Sequence, residues 1–151
     1  MSDQINKILA TFFYIGFFPF APGSVASLLA GMLAISLHGL VGLYVVVTII
    51  ITVIGFLVSG KMEDIVKKKD PSCVVIDEVA GGLIAFFMLP LNAPVLITAY
   101  FLFRAFDMFK IYPVNRFEEL PGSTGIMMDD LFAGLYTNIT MHIALRLTGV
   151  F

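Results

Sequence analysis

Charge is what this chain has least of. Between Ile8 and Gly60 there is no Asp, Glu, Lys or Arg. A second charge-free stretch runs from Val79 to Phe103 and a third from Leu131 to Leu145. Charged residues make up 13% of the 151 positions and apolar residues 59%, against about 25% and 45–50% in a soluble domain. An uncharged apolar run of about 18 residues or more is long enough to cross a bilayer. The composition therefore reads as an integral membrane protein, one domain over 1–151. A single cysteine, Cys73, excludes an intramolecular disulfide, and it lacks the downstream arginine that a cysteine-phosphatase loop needs. There is no Gly-x-Ser-x-Gly elbow and no evident Ser–His nucleophile pair. A net charge of −2 leaves no footprint for nucleic acid. The N-terminus carries Asp3, Gln4 and Lys7 and shows no pattern of a cleavable leader.

What is present falls into about four to five apolar helices. Residues 8–17 read as a short interfacial or re-entrant helix, broken by Pro19 and Pro22. Ser24 is a plausible N-cap for a span from Val25 to Leu37. Val41 to Val58 is the clearest span. Lys61, Lys67, Lys68 and Lys69 follow it, which places that loop in the cytoplasm by the positive-inside rule. Pro90 to Pro94 breaks the second apolar stretch into a hairpin of helices over about 77–89 and 95–110. Leu131 to Val150 is the last span. The fold class is all-α, a helical membrane bundle. Gly23-Ser24, Asp77-Glu78, Arg104 to Lys110 and Gly122 to Asp130 then share the cytoplasmic boundary, which predicts one polar site facing the cytoplasm.

The chemistry concentrates in two acidic pairs set in nearly the same frame. Asp77-Glu78 is followed by Val79-Ala80-Gly81-Gly82, and Asp129-Asp130 by Leu131-Phe132-Ala133-Gly134. Residues i and i+4 share a helix face, so each pair stands one turn from small residues. Small residues let helix backbones approach closely. Packing the two faces together brings four carboxylates to one spot. Without a cation they repel, and hard oxygen donors suit Mg²⁺. Carboxylates near a helix N-terminus are favourable by themselves, by about 0.3–1 kcal/mol, and one pair would need no further explanation. Two pairs beside membrane-embedded segments point to function, because burying ionisable groups there is expensive.

Arg104, Asp107 and Lys110 form one helical stripe. Alone it reads as an interfacial chain of ion pairs with snorkelling cations. Beside the acidic pairs, Asp107 becomes a further metal ligand, and Arg104 and Lys110 become holders of phosphate oxygens, one a bidentate fork and the other a point charge. Ala21-Pro22-Gly23-Ser24 reads either as an ordinary turn or as a backbone cradle for an anion at a helix N-terminus. Pro121 to Gly125 allows the same two readings. His38 and His142 are assigned structural roles, and Glu63, Asp64, Glu118 and Glu119 solubilise loops.

Taken together, these motifs resemble the phosphatidylglycerophosphatase A family. The matching segments are Pro19 to Leu28, Val75 to Gly81, Phe103 to Lys110 and Gly125 to Gly134, in family order. The family usually has Pro where this chain has Ile111, Thr at Ser24 and Gly at Ala26. The resemblance implies an all-helical core and a Mg²⁺-dependent phosphatase of the bacterial cytoplasmic membrane. Its substrate would be a membrane lipid, phosphatidylglycerophosphate, hydrolysed to phosphatidylglycerol. The expected catalytic and metal set is Asp77, Glu78, Asp107, Asp129 and Asp130, and the expected phosphate-binding set is Arg104, Lys110, Gly23 and Ser24. The alternative from another class is a small ion- or proton-coupled transporter, since carboxylates in an apolar bundle and broken helices also suit transport.

Overall fold

The structure, a computed structural model, describes residues 2–110, 112 and 120–149. Among them are six α-helices and one short 3-10 turn, and no strand. The helices are α1 (Asp3–Ala10), α2 (Pro22–Ser36), α3 (Val41–Val66), α4 (Ile76–Phe86), α5 (Ala93–Phe109) and α6 (Ser123–Leu147), with the 3-10 turn at Ile15–Phe17. The family departure at Ile111 and the loop acids Glu118 and Glu119 lie outside the described residues.

The short helix α4 is the hub. Nine of its positions are buried, among them Val79, Ala80, Gly81, Gly82 and Leu83, and it packs against α2, α3, α5 and α6. Its Gly and Ala residues make this possible. A side chain on Gly81 would strike the Asp130 carbonyl oxygen of α6, and one on Gly134 would strike the Gly81 carbonyl oxygen. The two helices thus cross backbone to backbone, as the small residues after each acidic pair predict. The far end of α4 is held by Asn138, whose Nδ2 donates to the carbonyls of Ala85 (3.2 Å) and Phe87 (2.7 Å). Tyr44 donates to the Leu83 carbonyl at 2.6 Å.

Helix α3 is the opposite of α4. It is the one described helix long and apolar enough to cross a membrane, and only 17% of its most apolar window is buried. At 1.5 Å per residue its 26 residues reach about 39 Å, more than the roughly 30 Å of hydrocarbon in a bilayer. Its β-branched residues weaken helix propensity in water, but a chain in lipid must satisfy every backbone group internally. Of the four to five apolar helices expected, the others are shorter or carry polar groups: α2 has 15 residues, α4 11 and α5 17, while α6 includes Asp129 and Asp130.

Several helix ends differ from the sequence reading. The first helix stops at Ala10 instead of covering 8–17. The Thr11 hydroxyl donates to the Lys7 carbonyl at 2.7 Å and accepts from Tyr14 N–H at 3.1 Å, and Phe12, Phe13 and Tyr14 are all left-handed. Ser24 is no cap: α2 begins at Pro22, after a left-handed Ala21. Proline at a first helical position gives up an N–H that has no partner anyway. Helix α3 runs on through Lys61 to Val66, so Lys61, Glu63 and Asp64 sit on a helix and not in a loop. Helix α6 begins at Ser123, which puts Asp129 and Asp130 in its second turn instead of at its start.

Candidate functional site

Four helices bring their polar ends to one cavity of about 300 Å³. Its lining includes Gly23 and Ser24 from α2, Asp77 and Glu78 from α4, Arg104 and Asp107 from α5 with Lys110 just beyond it, and Asp129 and Asp130 from α6. All nine residues singled out from the sequence therefore converge. Each element contributes for a local reason. Asp77 and Glu78 occupy the first turn of α4, where the helix dipole favours anions. Asp129 and Asp130 lack that support and owe their place to the α4–α6 crossing at Gly81 and Gly134. Lys110 caps α5 in a left-handed conformation (φ 44°), which turns its side chain toward Asp129. Gly23 is bare because a β-carbon there would strike Glu78 Oε1.

The geometry divides the five carboxylates. Asp77, Glu78 and Asp130 each offer an oxygen within 4.8 Å of the others. Glu78 Oε2 and Asp130 Oδ1 are buried with no hydrogen-bond partner. Asp107 and Asp129 have cations instead. Arg104 NH1 lies 2.7 Å from Asp107 Oδ2, and Lys110 Nζ donates to Asp129 Oδ2 at 3.0 Å. The Arg104 contact is an ion pair without hydrogen-bond alignment, so that nitrogen remains unsatisfied as a donor.

Asp77 and Asp130 are 5% and 4% exposed. All five carboxylates lie outside the charge-free stretches, and all are pushed above the ordinary carboxylate range. Burial is the main cause in each case. For Asp77 and Asp130 the neighbouring carboxylates add to it, and both rise well above the usual value. Glu78 is raised to about 7, with Arg104 partly opposing burial. Asp129 is raised to about 6 against the hydrogen bond and charge of Lys110. Asp107 is raised despite Arg104 beside it.

A divalent cation fits this donor set. Six carboxylates, Asp70 among them, line the cavity with two cations, so acidic groups outnumber basic ones even before a phosphate enters. The closest three are all hard oxygen donors, and two of their oxygens are orphaned. Such a set suits Mg²⁺.

Sequence reasoning missed two polar lining residues, Asp70 and Ser72. Asp70 stands in a left-handed turn (φ 45°) whose N–H donates to Glu63 Oε1 at 2.9 Å. Glu63 is thus a turn anchor and no mere solubiliser. Only the Asp70-Pro71 step before the first acidic pair hinted at this turn. The loop Pro121 to Gly125 is absent from the lining of this cavity; Ser123 Oγ accepts from Gly60 N–H at 2.7 Å and fastens α6 to α3. His142 Nε2 lies 3.3 Å from the Phe87 carbonyl, in keeping with a structural role.

Comparison with known proteins gives a consistent picture. A family model described as phosphatidylglycerophosphatase A matches residues 8–145. A Bacteroides thetaiotaomicron protein, provisionally named a phosphatidylinositol-3-phosphatase, is 34% identical over 94% of this chain and 94% of its own length. A Haemophilus influenzae protein named phosphatidylglycerophosphatase A is 31% identical over 89% of this chain and 85% of its own. No solved structure matches.

Proposed function

Since the chain belongs to the phosphatidylglycerophosphatase A family and is a lipid phosphatase, we propose that it removes the terminal phosphate of phosphatidylglycerophosphate in a Mg²⁺-dependent reaction. The observation that carries this reading is the trio Asp77, Glu78 and Asp130, with oxygens within 4.8 Å of one another and unpartnered oxygens on Glu78 and Asp130, in one cavity with Arg104 and Lys110. We assign the Mg²⁺ to that trio. Bound there, it would neutralise phosphate charge and lower the pKa of a water molecule.

The chain's own residues supply the rest. Arg104 and Lys110 take the phosphoryl oxygens, the first as a fork and the second as a point charge. Asp107 and Asp129 hold those cations in place before substrate arrives. One of these two accepts a proton from the attacking water and returns it to the glycerol oxygen as the phosphorus–oxygen ester bond breaks. A raised pKa near neutrality suits that double duty, and Asp129 at about 6 has it. Gly23 and Ser24 line the cavity at the start of α2, where the helix dipole favours an anion; the Ser24 N–H already donates to the Ala21 carbonyl at 3.0 Å, so Ser24 offers its hydroxyl.

The protein belongs in the bacterial cytoplasmic membrane with this cavity on the cytoplasmic side, by the lysines at 61 and 67–69 that end α3. There the headgroup reaches the cavity while the acyl tails stay in the bilayer. Hydrolysis is favoured over ion transport because the five carboxylates line one cavity at one end of the bundle and do not form a path along it.

The test is phosphate release by detergent-purified protein from phosphatidylglycerophosphate, with Mg²⁺ and then with EDTA, with phosphatidylinositol 3-phosphate run in parallel. Release that stops with EDTA and with Asp130→Asn supports the reading. Release undiminished by EDTA sinks the metal site. No release from either lipid by folded protein moves the choice to transport.

A further inference from the structure

A second cavity, of about 350 Å³, lies between α2 and α5 and has the opposite character. Leu28, Met32 and Ile35 form one wall, at i, i+4 and i+7 of α2, and Ile97 and Phe101 form the other, one turn apart on α5. Phe86 of α4 and the bare Gly31 make the floor, where a β-carbon on Gly31 would sit 3.5 Å from the Phe86 ring. The wall residues are half or more exposed, Leu28 55% and Phe101 65%. On α3, Val46, Ile50, Val53 and Leu57 are as exposed but border neither cavity, and Val45 and Ile49 border a smaller one of about 230 Å³. The α2 and α5 residues border a trough.

The trough is joined to the polar cavity. Tyr100 lines it and donates to the Ser24 carbonyl at 3.3 Å, while Ser24 lines the polar cavity. Ser27, less than one turn after Ser24, already lines the trough. From Ser24 to Ile35 is eleven residues of helix, about 16 Å at 1.5 Å per residue. One leaflet of a roughly 30 Å hydrocarbon layer is about 15 Å deep. The trough thus begins beside Ser24 and runs over a length comparable to the depth of one leaflet.

Resting on the lipid phosphatase reading above, we propose that the α2–α5 trough binds one acyl chain of the substrate while its phosphate lies among Arg104, Lys110 and the acidic trio. The chain then helps to fix the headgroup's depth, and recognition extends beyond the phosphate to the apolar tail.

The test uses the full chain in nanodiscs and a phosphatidylglycerophosphate carrying a photoreactive diazirine midway along one acyl chain. Adducts should concentrate on 28–35 and 97–101. Excess unlabelled phosphatidylglycerophosphate should remove them, and an equal excess of phosphatidylglycerol should not. Adducts spread over the exposed face of α3, adducts indifferent to the competitor, or adducts only at contacts between two copies of the chain would overturn the proposal. As a second measure, Leu28→Trp and Ile97→Trp should raise KM for a dipalmitoyl substrate about tenfold, the effect of displacing roughly two methylenes. A dihexanoyl substrate should be unaffected. Ile50→Trp, on the exposed face of α3, should change neither, and an equal effect there would also overturn it. Competed labelling without phosphate release would keep the trough and sink the phosphatase reading, so the two failures are distinct.

Discussion

Gly81→Ala is the sharpest single perturbation of this structure. The new methyl would strike the Asp130 carbonyl oxygen, with the Asp130 carbonyl carbon at 2.8 Å and the Phe103 ring at 3.1 Å. In an exposed helix the same change would favour folding by about 0.8–1.0 kcal/mol. Overpacking of a filled core costs about 1–3 kcal/mol. The obstructing atoms here are α6 backbone, which cannot turn aside as a side chain does, so the cost belongs at the top of that range. The net is a loss of about 2 kcal/mol. At about 2–4 °C per kcal/mol for a chain of this size, the melting midpoint in detergent should fall by several degrees. Gly42→Ala, in the first turn of the exposed helix α3 with nothing within 4 Å, should hold or raise it. The effect on the site is larger. Relief of the clash pushes α6 away from α4 and carries Asp130 from Asp77 and Glu78. A displacement of about 1 Å costs on the order of 10²-fold in rate. Phosphate release should therefore drop about a hundredfold at temperatures where the variant is still folded. A Gly81→Ala protein that melts with the wild type and keeps Mg²⁺-dependent release would refute the crossing as the device that builds the site.

Three further outcomes are expected. Because the site carboxyls have folded-state pKa values above their unfolded ones, the metal-free protein keeps their stabilising contribution below about pH 4 and loses it as the pH rises through about 6 for Asp129 and about 7 for Glu78. Metal needs the deprotonated forms, so the rise in melting temperature on adding Mg²⁺ should be larger at pH 8 than at pH 5; equal shifts would count against the site. Arg104→Ala and Lys110→Ala should each lower kcat/KM by about 10²–10³-fold, and unchanged kinetics would remove them from phosphate binding. Asn138→Ala, which abandons the carbonyls of Ala85 and Phe87, should cost about 1–3 kcal/mol while activity per folded molecule is retained; lost activity in folded protein would contradict its purely structural placement.

The convergence of Asp77, Glu78, Asp129 and Asp130 was legible in the sequence because helix periodicity ties each carboxylate to a small residue one turn away, and Gly81 and Gly134 then admit only a close crossing. The stripe Arg104, Asp107 and Lys110 was legible for the same reason. Asp70 and Ser72 were not, because they reach the cavity through a left-handed turn held by Glu63, and such a turn has no period. Helix ends were misjudged where charge was taken as a boundary. Lys61 and Asp64 prolong α3, and Asp129 and Asp130 lie inside α6, since a helix tolerates charged residues wherever one face stays polar. Ser24 looked like a cap by residue type, yet Pro22 starts α2 earlier.

The fastening of the N-terminal segment to the turn before α4 sets an order of assembly. Val75 N–H donates to the Ala10 carbonyl at 3.0 Å, and Gly16 lies so close to Cys73 that a side chain would meet its carbonyl oxygen. Residues 10–16 are made well before 73–75 exist. At roughly 5–20 residues per second they wait several seconds for their docking partner. Asp129 and Asp130 come later still, so the nascent chain holds Asp77 and Glu78 for a time without the other half of their site. A chain stopped before α6 thus acquires the long apolar helix and the hub but no acidic trio, and the site is complete only once α6 is made.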